Sequence, residues 1–217
     1  MGHSCCETSC ATDQLRNAKY RRVLWIVLVI NAAMFFAEVA AGLMAKSVSL
    51  QADALDFLGD AAAYGISLAV VGMGLRYRAM AAMLKGSAMG IFGLWVLGTT
   101  VHQFMTGTLP RAETMGVVGV VALLANATCF ALLWAYRNGD ANMQSVWICS
   151  RNDALGNVAV LLAAASVFGT QQGWPDALVA AIMAALALQG AWVTIRAARA
   201  ELRSVPNGAR RPLLSSS

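Results

Sequence analysis

Leu50-Gln51-Ala52-Asp53-Ala54-Leu55-Asp56-Phe57-Leu58-Gly59-Asp60 sets three carboxylates inside a run that is otherwise apolar from Leu50 to Leu75. Spacings of three, four and seven place all three on one stripe of an α-helix. At the centre of a bilayer each charged side chain costs about 2.5–3.5 kcal/mol. On the surface of a soluble helix the same stripe would cost only about a few tenths of a kcal/mol per like-charge pair. The medium around this helix therefore decides what the stripe means, and the rest of the chain identifies the medium.

Of the 217 residues, 59% are hydrophobic and 12% charged, against roughly 45–50% and 25% in soluble chains. The apolar residues run continuously in six stretches, Val23 to Ala45, Leu50 to Leu75, Gly86 to Met105, Met115 to Tyr136, Met143 to Thr170 and Trp174 to Ile195. Six crossings of about 20 residues each consume nearly all of them. This excludes a globular enzyme, a secreted disulfide scaffold, a nucleic-acid-binding module and a β-barrel, whose strands would alternate. Short gaps such as Thr108-Leu109-Pro110-Arg111, Arg137-Asn138-Gly139-Asp140 and Gln171-Gln172-Gly173 read as tight loops.

The net charge of +5 sits at the ends of these runs, where it orients the bundle. With a cytoplasmic N-terminus, 13 basic residues fall inside and only Lys46 and Arg111 outside, leaving Arg151 within a helix. Both termini are then cytoplasmic. The sequence divides into a Cys-rich tail (1–22), a six-helix transmembrane domain (23–199) and a disordered Pro-, Gly- and Ser-containing tail (200–217). The reading is an all-α integral membrane protein.

In that setting the acidic stripe must face the bundle interior and be neutralised by a cation or by protons. Asp56 and Asp60, one turn apart, reach a single ion together. Helix 5 supplies the complement, because Cys149 and Asp153 are also four apart. Two carboxylate-rich pairs with one thiol suit zinc or cadmium, whereas magnesium and calcium prefer six or more oxygens. Helices 2 and 5 are the middle helices of oppositely directed halves, which is where inverted-repeat transporters place their mid-membrane site.

Other polar residues divide between structural and functional readings. Asp53 stands either behind the ligands and on the entry path, or at the start of its helix. Glu38 is structural or a proton carrier, with Arg151 as its candidate partner. Arg151 itself lies about 200° around the helix from Cys149 and Asp153 and points away from the metal. His102 reads as an interfacial polar residue. The tail segment with His3, Cys5, Cys6 and Cys10 reads either as a mobile metal-loading chelator or as an unstructured tail; cytoplasmic thiols stay reduced. Gly86-Ser-Ala-Met-Gly90 offers a small-residue surface for helix contact between copies.

The stretch from Asn31 through Glu38 to Gly42, continuing through Ser47 to Asp60, resembles the first two helices of the cation diffusion facilitator family. Segments around Asn126, from Asn142 to Asn157 and from Trp174 to Arg199 resemble it too. The family exchanges divalent metals such as zinc for protons, and its motif of His or Asp followed four residues later by Asp falls on Asp56, Asp60, Cys149 and Asp153. Cys149 departs from that motif and favours zinc or cadmium over manganese. Most members carry a cytoplasmic C-terminal domain, for which the chain ends too early at Ser217.

The resemblance implies a secondary transporter, not an enzyme and without a cofactor, exporting zinc or cadmium in exchange for protons. A homodimer through the membrane helices is expected, with no nucleic-acid partner. Short loops and compact length point to a bacterial inner membrane. Two other readings stay open: a metal sensor that binds without turnover, and a proton-coupled exporter of small organic cations that uses Glu38.

Overall fold

The computed structural model describes residues 18–69, 75–134 and 141–204, with side chains described from Arg21 to Arg203 apart from Leu75, Arg78 and those of 141–152. All elements among the described residues are helices: α1 (Ala18–Ala45), α2 (Val48–Ala69), α3 (Leu75–Thr106), α4 (Ala112–Trp134), α5 (Ala141–Thr170) and α6 (Trp174–Ser204). The six apolar runs correspond to these six helices. The exact tail assignments (1–22 and 200–217) fall largely outside the described residues.

The helices pack inside-out. Phe36, Leu43, Met44, Ile91, Leu94, Phe104, Leu124, Leu162, Phe168 and Leu186 are all exposed, a surface no soluble monomer would sustain but one that lipid solvates. Five helices are by themselves long and apolar enough to cross a membrane. The described part of α2, 22 residues long, spans about 33 Å.

Helix α3 begins at Leu75, well before the apolar run at Gly86. Apolarity marks only the lipid-facing part of a helix. The added segment carries Arg76, Arg78 and Lys85, so at 32 residues α3 is about 48 Å long and outruns a hydrocarbon core of roughly 30 Å. Exposed Arg21, Arg22, Arg76, Arg196, Arg199 and Arg203 gather at this end of the bundle, and Lys46 and Arg111 at the other. The positive-inside rule makes the Arg-rich end cytoplasmic.

At the outer end, α1, α3 and α5 each stop on a left-handed residue, Lys46 (φ 55°), Gly107 (φ 64°) and Gln171 (φ 53°). Around Lys46 the Ser47 N–H donates to Gly42 O (2.9 Å) and the Lys46 N–H to Leu43 O (3.3 Å), the paired bonds of a Schellman stop. Gly173 sits so close to the α3–α4 loop that a methyl there would lie 2.3 Å from Thr108 O. The outer loops are thereby packed on one another, with Arg111 N–H bonded to Ala45 O (2.9 Å).

Helix α2 is central and touches α1, α3, α5 and α6. Its outer half is enclosed by an apolar cluster that includes Val48, Leu50, Leu55, Met115, Val160, Val167 and Ala180. From Asp60 to Leu68 the helix is half-buried, apart from buried Tyr64. The bundle is thus closed around α2 on the outer side and looser toward the cytoplasm. A second, smaller cluster of Leu24, Val27, Tyr64, Cys129 and Leu133 lies at that inner end.

Helix α3 packs most extensively on α6, and this corrects the expectation for Gly86–Gly90. A methyl on Gly86 would lie 2.8 Å from Ile195 Cγ1, and one on Gly90 would lie 3.7 Å from Ala191 Cβ. The small-residue surface is already occupied by α6 of the same chain, because the absence of side chains lets these two long helices approach closely. It is not free to join two copies.

Candidate metal centre

The stripe on α2 is internal. Asp53 is 1% exposed, and Asp56 and Asp60 are half-buried. Glu38 of α1 is fully buried and lies close to the Asp53 carboxyl. Both groups are acceptors, and among the described residues neither Glu38 oxygen nor Asp53 Oδ2 has a donor. Two carboxylates facing each other in a dry interior need a proton or a cation between them.

Helix α5 meets this stripe at Gly156. A methyl on Gly156 would lie 3.4 Å from Asp56 Oδ2, 3.6 Å from Asp53 Oδ1 and 3.4 Å from Met183 Cε of α6. The missing side chain lets both carboxylates approach the α5 backbone. Asp153, one turn earlier on α5, is half-buried. It and Asp60 both lie near the Cys129 thiol of α4. Asp60 Oδ2 accepts from the Tyr64 hydroxyl at 3.4 Å.

Asp56, Asp60 and Asp153 therefore border one region between α1, α2, α4 and α5. Among the described residues no three His, Cys, Asp or Glu side chains are close enough together to hold a metal ion. Cys149 is on α5 four residues before Asp153, and its side chain lies outside the described residues, as do those of Arg151, His3, Cys5, Cys6 and Cys10. The pairing expected of Glu38 with Arg151 thus falls outside them too; the neighbour the structure gives Glu38 is Asp53. His102 is exposed near the outer end of α3.

The alternative role of Asp53 at the start of its helix is excluded. Helix α2 begins at Val48, and its first N–H groups already have acceptors. Leu50 N–H donates to Ser47 Oγ (3.2 Å), the usual N-cap bond. Val48 N–H (2.9 Å) and Ser49 N–H (3.1 Å) donate to the carboxylate of Asp176 on α6.

Sequence reasoning missed four polar residues around this region. Tyr64 and Asn157 follow Asp60 and Asp153 by four, so helical spacing alone would have placed them on the same faces. Asn157 is fully buried, and neither atom of its amide has a partner among the described residues. Asn31 of α1 donates to Val27 O (2.8 Å) and to Cys129 Sγ (3.6 Å). The Asn31–Cys129 contact joins residues 98 apart and has no local signature.

A family model described as the cation efflux transmembrane domain matches residues 24–202. The metal cation efflux system protein CzcD of Cupriavidus metallidurans is 26% identical over 187 residues, covering 81% of this chain and 59% of its own length. The zinc transporter ZitB of Escherichia coli is 27% identical over 210 residues, covering 88% and 64%. ZitB of Yersinia pestis is 26% identical over 197 residues, covering 82% and 62%. The chain spans about three fifths of the length of these relatives.

Proposed function

Because the chain belongs to the cation efflux family, we propose that it exports zinc or cadmium from the cytoplasm in exchange for protons. The ligands in this reading are Asp56 and Asp60 of α2 with Cys149 and Asp153 of α5. One observation carries it: inside the bundle, the Asp56 carboxylate lies against α5 at Gly156, one turn beyond Asp153 on the same helix. The names of CzcD and ZitB support the metal class, and Cys149 adds a soft ligand suited to zinc and cadmium.

Metal enters from the cytoplasmic side, where α2 is half-exposed. Binding displaces protons, since a ligand coordinates only when deprotonated. After the bundle reopens outward, protons compete for the same groups and release the ion. Glu38 and Asp53, lying outward of Asp56 with no donor between them, form the proton path. His3, Cys5, Cys6 and Cys10 deliver metal to the inner mouth. The host membrane is the bacterial inner membrane, and two copies associate through lipid-facing helix surfaces other than the Gly86–Gly90 stripe.

Flux into proteoliposomes tests the ligand set. Asp153→Ala is expected to abolish zinc transport driven by a proton gradient, and wild-type flux in that variant refutes the assignment. Cys149→His should keep zinc transport and lower any preference for cadmium. An unchanged preference means the thiol does not touch the ion. Binding without flux in the wild-type protein would instead identify a receptor.

A further inference from the structure

The Asp176 carboxylate, at the start of α6, is fully buried and accepts hydrogen bonds from the start of α2 and from α3. Oδ1 accepts from Ser47 Oγ (2.7 Å), Ser49 N–H (3.1 Å) and the Ser49 hydroxyl. Oδ2 accepts from Val48 N–H (2.9 Å) and from Gln103 Nε2 of α3 (2.9 Å). Every one of these donors is neutral, and two are backbone groups at the positive end of the α2 dipole. A carboxylate placed on another helix thus caps α2 and ties it to α3 and α6 at once.

We propose that Asp176 is a positioning residue for transport: its carboxylate joins the outer end of α2 to α3 and α6 and thereby fixes where Asp56 and Asp60 stand. This rests on the metal-site reading above. Five hydrogen bonds to one buried charge make a joint too costly to break in every turnover, so α2 keeps this outer anchor through the cycle. Asp60 lies twelve residues beyond Val48, about 18 Å along the helix. A tilt of about 10° about the anchor moves Asp60 by roughly 3 Å, whereas metal–ligand distances tolerate about 0.2 Å. Control of that tilt is control of the site. Helix α5 supplies none of the bonds described for this joint, so α5 is the element that parts from α2 when the outer side opens.

The test uses the full chain with zinc alone as probe. Asp176→Asn keeps one oxygen but turns an N–H₂ toward the Val48 N–H and Gln103, breaking one side of the joint. Equilibrium zinc binding should weaken about tenfold, the scale seen when a group orienting metal ligands is removed. Adding Gln103→Glu, which returns an acceptor to the joint from α3, should restore part of the loss.

An independent arm needs no metal. Val48→Cys, at a position 2% exposed, should resist an impermeant maleimide added from outside, measured against the same chain without the added cysteine. It should label readily once Asp176→Asn is also present. If Asp176→Asn does not fold, Ser47→Ala with Ser49→Ala removes two hydroxyl donors, leaves the charge, and should shift both readouts the same way by less.

Unchanged zinc affinity or unchanged labelling overturns the proposal. If wild type and Asp60→Ala bind zinc alike, the metal-site reading fails, and the labelling arm alone decides the joint.

Discussion

Gly156→Ala separates a site from mere packing. The added methyl would lie 3.4 Å from Asp56 Oδ2 and Met183 Cε and 3.6 Å from Asp53 Oδ1, ordinary contact distances that require little shift of neighbours. Helix propensity favours Ala over Gly by up to about 1 kcal/mol. In a membrane the helix persists when tertiary packing is lost, so only part of that gain is realised. Stability should therefore move by less than about 1 kcal/mol, or no more than about 2–4 °C in the unfolding midpoint of a chain this size.

Transport should respond in the other direction. The methyl fills the side of α5 from which an ion or water approaches both carboxylates. Losing one oxygen contact is expected to cost about 1.4 kcal/mol, a tenfold loss of affinity. The assay is zinc uptake into inside-out vesicles across a concentration series, with thermal unfolding of the purified protein in parallel. A tenfold rise in KM with an unchanged midpoint is expected. Gly156→Val extends two further carbons beyond the methyl position and should abolish uptake. Wild-type KM in Gly156→Ala refutes the placement of the ion beside Asp56 and Gly156.

Two further predictions concern the outer loops. Gly173→Ala would put a methyl 2.3 Å from the backbone oxygen of Thr108; it should destabilise the protein by about 1–3 kcal/mol, read as a lower unfolding midpoint, with residual flux per folded molecule near wild type. Lys46→Gly relieves a left-handed non-glycine residue (φ 55°) and should raise the midpoint by the equivalent of at most about 1 kcal/mol.

The order and number of helices were legible because lipid demands a continuous apolar run for each crossing, and the runs ending at Ala45 and Thr170 coincide with the ends of α1 and α5. The start of α3 was not. Arg76, Arg78 and Lys85 interrupt the apolarity without interrupting the helix, and hydropathy reports solvent, not backbone conformation. The acidic stripe was legible through its own spacing, which is local. What joins it to the rest of the bundle was not: Asp176 reaches Ser47 across 129 positions and Asn31 reaches Cys129 across 98. Gly86–Gly90 shows the same limit from another side. Its pattern predicts close helix contact but carries no information about whether the partner helix belongs to the same chain.

The polar residues in the outer half of α2 are explained by its burial. From Val48 to Leu55 every residue of α2 is buried, shielded by α1, α3, α5 and α6. No apolar coat is needed where no lipid reaches, which frees these positions to carry Gln51 and Asp53. Helix α4 shows the converse, with Val117, Val121 and Leu124 all exposed while Asn126 and Cys129 turn inward. Along α2 the acids climb from Asp60 to Asp53 over about 10 Å, a third of the roughly 30 Å hydrocarbon core. Outward of Asp53 the packing around α2 is the apolar cluster of Val48, Leu50, Val160 and Val167, and both oxygens of the Asp176 carboxylate there are already taken by hydrogen-bond donors. For cargo held at the acids to leave by that side, this cluster must part, and with α2 anchored at Asp176 the parting falls to Val160 and Val167, both on α5.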